Sequence, residues 1–292
     1  MQTDNEWLDG LSEVHASYLA QGIGTRVTDA FRCLVWDYYR KHERKFPWRE
    51  TDDPYRILVS EIMLQQTQAL RVVPKYLAFL ERFPTPQALA DAPVAELLGA
   101  WQGLGYNRRA LSLQRAVRQI LLGNREIFPQ DSAELEKLPG IGPYTAAAVC
   151  AFAFNLPVTV LETNIRRLYI QAFFANEQQV HDKQLRSLIE TTLDAESPRD
   201  WYYALMDFGH DLARMLPNPN LRSKHYAKQS PFAGSHRQLR GKILKFLIAG
   251  RQPILGMAER LEVALPELRQ TLKELESEGF IGLEEYEVGL VR

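Results

Sequence analysis

The segment Leu138-Pro139-Gly140-Ile141-Gly142-Pro143-Tyr144-Thr145-Ala146, set between two stretches of helix-forming sequence, constrains the fold of this chain more than any other. Its two glycines let a turn pack tightly and bring backbone N–H groups to a phosphate. The N-terminus of the helix that follows adds a partial positive charge aimed at the same anion. Gly-x-Gly alone is found in many tight turns between helices. The Leu-Pro before it and the Tyr-Thr-Ala-Ala-Ala after it make this example more specific.

Helical periodicity dominates the rest. Val27 to Arg40, Pro54 to Phe83, Pro93 to Trp101, Arg108 to Leu122, Ser132 to Lys137, Tyr144 to Phe154 and Asn164 to Phe174 all read as helices, and alternating strand patterns are almost absent. The expected class is all-α, with breaks where Pro and Gly cluster. A composition shift near residues 216 to 236 reads as a linker into a last module. In that module, helices Arg237 to Ala249, Ile254 to Leu261 and Ala264 to Glu278 precede an alternating stretch, Phe280 to Arg292. This order resembles a winged helix-turn-helix, in which Leu265-Pro266-Glu267 opens the recognition-type helix. Because that helix carries Glu267, Glu274, Glu276 and Glu278, docking to protein or packing is as open to it as contact with DNA.

At 292 residues, 46% hydrophobic and 24% charged, the chain can bury a large core in two or three subdomains. No run approaches a membrane span, and the acidic start (Asp4, Glu6, Asp9, Glu13) is unlike a signal peptide, so a cytoplasmic protein is expected. Cys33 and Cys150 read as small buried hydrophobes. The net charge of -1 conceals residues 212 to 258, which hold Arg214, Arg222, Lys224, Lys228, Arg237, Arg240, Lys242, Lys245 and Arg251 and no acid. That stretch is either a phosphate-facing surface or a solvated linker.

Three further segments carry chemistry. In Val160-Leu161-Glu162-Thr163-Asn164-Ile165-Arg166-Arg167 an acid stands just before a helix, where a capping carboxylate is the ordinary reading. In Phe46-Pro47-Trp48-Arg49 and Val59-Ser60-Glu61-Ile62-Met63-Leu64-Gln65-Gln66-Thr67-Gln68, Glu61 sits in an apolar helical run. Desolvation there would raise its pKa and suit it to act as a general acid, unless it lies on the wet face. Gln65, Gln66 and Gln68 are long amides able to fill a gap the size of a base, or an ordinary polar face. In Trp101-Gln102-Gly103-Leu104-Gly105-Tyr106-Asn107-Arg108-Arg109-Ala110, a Gly-rich bend presents an aromatic beside two arginines. That group can stack on a base and hold a backbone, or simply bury a tyrosine at a helix start.

Taken together, these segments resemble the helix-hairpin-helix (HhH-GPD) DNA glycosylase superfamily, most closely its MutY-type adenine DNA glycosylases, over about Val27 to Gly209. The resemblance implies a two-lobed all-α fold with a DNA cleft between the lobes. A glycosylase domain would span 1–230, with a six-helix lobe about 54–168 and a second lobe from 1–53 plus 169–230, and a winged-helix-like module would span 231–292. It implies a monofunctional glycosylase of base excision repair, a nucleoid-associated monomer acting on double-stranded DNA that contains a lesion or mispair. Glu61 matches the general acid and Glu162 the carboxylate that stabilises the sugar cation. Tyr144 and Asn164 match residues that hold that carboxylate, and Arg49 one that lines the base pocket. Gln65, Gln66 and Tyr106 match side chains that wedge into the base stack. Arg108, Gly140, Gly142, Thr145 and Arg166 fall among the DNA-contacting positions. The logic is that of glycosidic cleavage by two carboxyls of opposite protonation, with the helix N-terminus expected to keep Glu162 ionised.

Three positions depart from the family pattern. Glu162 replaces the family's Asp, one methylene shorter. The loop expected to hold four iron–sulfur cysteines after Ala204-Leu205-Met206-Asp207-Phe208-Gly209 has none, so no such cofactor is expected, and a structural monovalent cation at the hairpin is the one ion the resemblance allows. The family's larger C-terminal domain, which reads the opposite base, is replaced by about sixty residues after Ser235. Adenine opposite 8-oxoguanine or guanine is the leading substrate. Uracil or thymine opposite guanine, a deaminated purine, and a non-catalytic DNA-binding relative are the alternatives.

Overall fold

The computed structural model describes residues 2–123, 128–226 and 234–291. In chain order the helices are α1 (Gln2–Gln21), α2 (Thr25–His42), α3 (Pro54–Leu64), α4 (Ala69–Arg82), α5 (Pro86–Asp91), α6 (Val94–Trp101), α7 (Arg108–Leu122) and α8 (Ser132–Glu136). After these come α9 (Pro143–Phe154), α10 (Thr163–Phe173), α11 (Asp182–Thr192) and α12 (Pro198–Met215). The tail holds α13 (His236–Leu247), β1 (Gln252–Pro253), α14 (Ile254–Leu261), α15 (Leu265–Ser277), β2 (Ile281–Leu283) and β3 (Glu287–Leu290). The all-α expectation holds, and among the described residues the strands are confined to the tail. No helix among the described residues is long and apolar enough to cross a membrane.

The chain divides into two compact units. The first comprises Met1–Pro54, Gln130–Ser132 and Pro143–Lys228. Here α12 packs against α2, α9 and α10 around edge-on aromatic contacts, with Phe31 5.3 Å from Tyr169 and 6.1 Å from Trp201. The helix α9 is buried along nearly its whole length, and its alanines allow close approach on every side.

The second unit comprises Tyr55–Pro129, Ala133–Gly142 and Gln229–Arg292. In it α5 and α6 pack on α7, and the tail joins the same core: Leu239, Ile243, Leu247, Leu268, Leu272, Phe280 and Val288 cluster with Val94, Leu98 and Leu111. Its sheet has the antiparallel order β1-β3-β2, with Gln252 opposite Val288 and Gly282 opposite Gly289. The inward face of α15 is Leu268, Thr271, Leu272 and Leu275, the 3.6-residue spacing of a helix with one apolar stripe.

Several expectations are corrected. The helix expected from Pro54 to Phe83 is two helices, broken at Gln65 to Gln68, where Gln66 takes a φ of 55°. Helices α1, α5, α11 and α12 add to those expected from periodicity. Cys33 is exposed on α2, whereas Cys150 is buried as expected; its thiol donates to the Gln130 carbonyl, and burial pushes it up to about 11. The basic stretch is divided between the two units. Arg222 turns inward to Gln171 and the Phe174 and Ala175 carbonyls, Arg237 and Arg240 belong to the other unit, and Lys228 lies outside the described residues.

Candidate functional site

In the first unit the key local event is the cap of α10. Glu162, with extended backbone, accepts the Asn164 N–H at 2.7 Å and the Ile165 N–H at 2.8 Å through Oε1. Asn164 Nδ2 donates to Oε2 at 3.3 Å. Two orphan amides of the helix start are thereby satisfied by a carboxylate, which the helix dipole favours. Asn164 is itself fixed: the Arg167 Nη1 donates to its Oδ1 at 2.8 Å and to the Gly209 carbonyl at 2.6 Å. Burial nevertheless lifts the Glu162 carboxyl above its ordinary range, against the pull of the Asn164 and Ile165 amides and then of Arg167 and Arg166. The expectation that the helix N-terminus holds this carboxyl's pKa down is corrected: desolvation outweighs the cap and raises it.

Tyr144 opens α9 half-buried, and Thr145 beside it is 2% exposed, so its hydroxyl is turned into the protein. Arg49, read as a pocket lining, forms a bidentate pair with the fully buried Asp207, both contacts at 2.8 Å, and lies 4.5 Å over the Tyr203 ring. Burial works against its charge, but the Asp207 hydrogen bond and charge win and hold the guanidinium firmly protonated. Arg166 pairs with Asp182 on the first turn of α11, at 2.7 Å.

In the second unit Glu61 is 5% exposed on α3, among buried Ile57, Leu58, Val59, Ile62 and Met63, so it does not stand on a solvated face. The turn that follows is held by Arg109. That guanidinium donates to the carbonyls of Ile62 (2.8 Å), Met63 (3.0 Å) and Gln65 (2.6 Å) at the end of α3, and to those of Leu104 and Gly105, both at 3.1 Å. One half-buried side chain thus pins the Gln65–Gln66 turn to the Gly105–Tyr106 bend, and desolvation brings its pKa down to about 10. Both segments carry a non-glycine residue in the left-handed region, Gln66 at φ 55° and Tyr106 at φ 48°. Such strain clusters at functional positions.

The hairpin takes the expected form. Gly140 has φ +76°, and a β-carbon on it would stand 2.5 Å from the Ser112 β-carbon, so the glycine is required both by conformation and by the closeness of α7. Gly142 faces open space. A groove of about 880 Å³ runs past Gly140, Gln65, Gln66 and Tyr106. Arg108 borders it, and its Nε lies 3.1 Å from a Glu278 carboxylate oxygen.

Sequence reasoning passed over Arg109, Arg167 and Gly209 as site residues. The two arginines lie within segments singled out for chemistry, but nothing in a linear pattern shows which arginine turns inward.

A family model described as HhH-GPD superfamily base excision DNA repair protein matches residues 59–192. An adenine DNA glycosylase from Mycobacterium tuberculosis (strain CDC 1551 / Oshkosh) is 32% identical over 251 residues, 79% of this chain and 82% of that protein. One from Buchnera aphidicola subsp. Baizongia pistaciae is 36% identical over 187 residues, 62% of this chain; the match spans only 52% of that relative's length. Among solved structures, that of a thermostable thymine-DNA glycosylase superposes with a TM-score of 0.57 at 30% identity, covering 62% of this chain and 85% of that one.

Proposed function

Because the chain belongs to the HhH-GPD superfamily of base excision DNA repair proteins, we propose that it is a monofunctional DNA glycosylase that excises adenine mispaired with 8-oxoguanine or guanine. The observation that carries this reading is the buried carboxyl of Glu61, inside the matched segment and on a helix that ends in the Gln65–Gln66 turn. A carboxyl group in that setting suits a general acid for a leaving purine.

In this mechanism the duplex yields one nucleotide, whose place in the stack is filled by Gln65, Gln66 and Tyr106. Glu61 protonates a ring nitrogen of the base, so that the base departs neutral as the C1′–N bond breaks. The sugar is left electron-poor, and Glu162 presents its carboxylate to that developing charge. Burial raises the Glu162 pKa, and the Asn164 and Ile165 amides, with Arg167 and Arg166, are what favour the ionised form this step needs. Asn164 and Arg167 fix the carboxylate through the hydrogen bonds described above. Water then completes the hydrolysis. Tyr144, standing where related lyases carry a lysine, has no amine, so no Schiff base forms there. The chain's two cysteines cannot supply a four-thiolate iron–sulfur site, and no step passes through one.

Thymine opposite guanine is the second reading, supported by the similarity to a thymine-DNA glycosylase. A panel of labelled duplexes holding A opposite 8-oxoguanine, A opposite G, T opposite G and U opposite G separates the two. Strand scission after alkali is expected for the adenine mispairs; cleavage of the thymine or uracil duplexes alone would replace the adenine assignment.

A further inference from the structure

The winged tail offers two helices to solvent, and they differ in what they can meet. The recognition-type helix α15 buries Leu268, Thr271, Leu272 and Leu275, and its exposed positions mix Glu267 and Glu276 with Arg269 and Lys273, giving no net attraction for a polyanion. The helix α13 instead places Arg237, Arg240, Gly241 and Leu244, at spacings of 3, 4 and 7, along the groove that passes Gln66, Tyr106 and Gly140. Arg71, Arg108, Arg109, Arg237 and Arg240 line this groove; Glu278 pairs with Arg108 and Arg240 at its edge, and Glu274 also meets Arg240.

Two further details point to a ligand on this face. The Arg237 guanidinium lies 5.5 Å over the Tyr106 ring and donates to its hydroxyl, so an aromatic surface and a cation are already arranged together. Gly241 sits in a helix interior, where glycine is unfavourable, yet a β-carbon there would meet nothing within 4 Å. Packing within the protein therefore does not call for that glycine, and its missing side chain leaves room for another backbone to approach.

We propose that α13, rather than the recognition-type helix α15, is the DNA-facing element of the tail. Arg237 contacts a backbone phosphate, Arg240 holds the helix to Glu274 and Glu278, and Gly241 admits the strand into the groove beside Tyr106. This inference rests on the proposed glycosylase function for the identity of the ligand. Lys242 and Lys245, which line a separate shallow depression with Phe246 and Arg260, lie outside the surface.

The test is fluorescence anisotropy over a salt titration, using a labelled duplex with one A opposite 8-oxoguanine and the same duplex fully paired. Arg237→Ala is expected to weaken binding to both duplexes roughly tenfold and to flatten the salt dependence by about one unit of slope, as loss of a phosphate contact does. Gly241→Leu is expected to melt no lower than the parent protein while binding more weakly. Lys245→Ala is expected to bind within about twofold of the parent, since it lies off the face. Parent-like affinity in both Arg237→Ala and Gly241→Leu would overturn the proposal and mark α13 as a protein-facing or solvent-facing helix. Excision is scored separately. A parent protein that binds both duplexes yet releases no base would sink the glycosylase reading, while loss of binding in these two variants would still support α13 as the DNA-facing helix.

Discussion

Gly209 lies so close to Asn164 that a β-carbon on it would stand 2.1 Å from the Asn164 carbonyl oxygen and 2.6 Å from its carbonyl carbon. The helix α12 therefore rests directly on the first turn of α10, which Glu162 caps, and Arg167 fastens the two by bonding both Asn164 and the Gly209 carbonyl. Any side chain at position 209 must push that turn away. For Gly209→Ala we expect a loss of about 1–3 kcal/mol in stability from overpacking. A fall of roughly 10²-fold in single-turnover excision should accompany it, since a carboxylate displaced by about 1 Å loses its alignment. Single-turnover kinetics on the adenine mispair, read beside a urea titration, check both.

Glu61→Gln keeps the shape of the side chain and removes the proton it can donate. Excision should drop by about 10²–10⁴-fold, the range of a general acid's contribution, while duplex affinity stays near that of the parent. Binding measured by anisotropy and cleavage measured on the same preparation separate the two effects, and a variant of undiminished rate would remove Glu61 from the mechanism.

The raised pKa of Glu162 has a definite sign. Burial makes the folded protein hold this proton at pH values where the unfolded chain, near the reference value of 4.5, has released it. The folded state then binds more protons than the unfolded one, so this group's contribution to stability declines as pH rises from about 4.5 through the raised value. Glu162→Gln cannot titrate. Its melting temperature relative to the parent should therefore increase with pH across that window and level off above it. A difference that is constant with pH would show that burial does not control the group.

Asp207→Asn tests what Arg49 does. Asp207 is fully buried and also accepts the Arg44 backbone N–H at 2.9 Å, so the carboxylate ties two points of the segment after α2 to α12. Removing its charge leaves the Arg49 guanidinium buried without a counter-charge, at a cost of about 3–5 kcal/mol. Urea denaturation with an unchanged m-value and a lower midpoint is the expected result.

The local chemistry of the chain was legible in its sequence. The glycine at position 140 sits in the left-handed conformation a tight hairpin needs, and Glu162 caps a helix because it is the residue before one; both depend only on neighbours within a few positions. The helical class and the order of the tail follow from periodicity in the same way. What escaped was set by partners far along the chain. The break after α3 depends on Arg109, more than forty residues on, drawing the helix-end carbonyls to itself. Arg49 faces Asp207 at a separation of 158, and Arg108 faces Glu278 at 170. No periodicity marks an arginine as inward or outward, because its long side chain reaches either way and the choice belongs to the helix packed beside it. Capping and backbone conformation are properties of a few consecutive residues, whereas burial and ion pairing exist only once α12 has settled on α10 and the tail on α6 and α7.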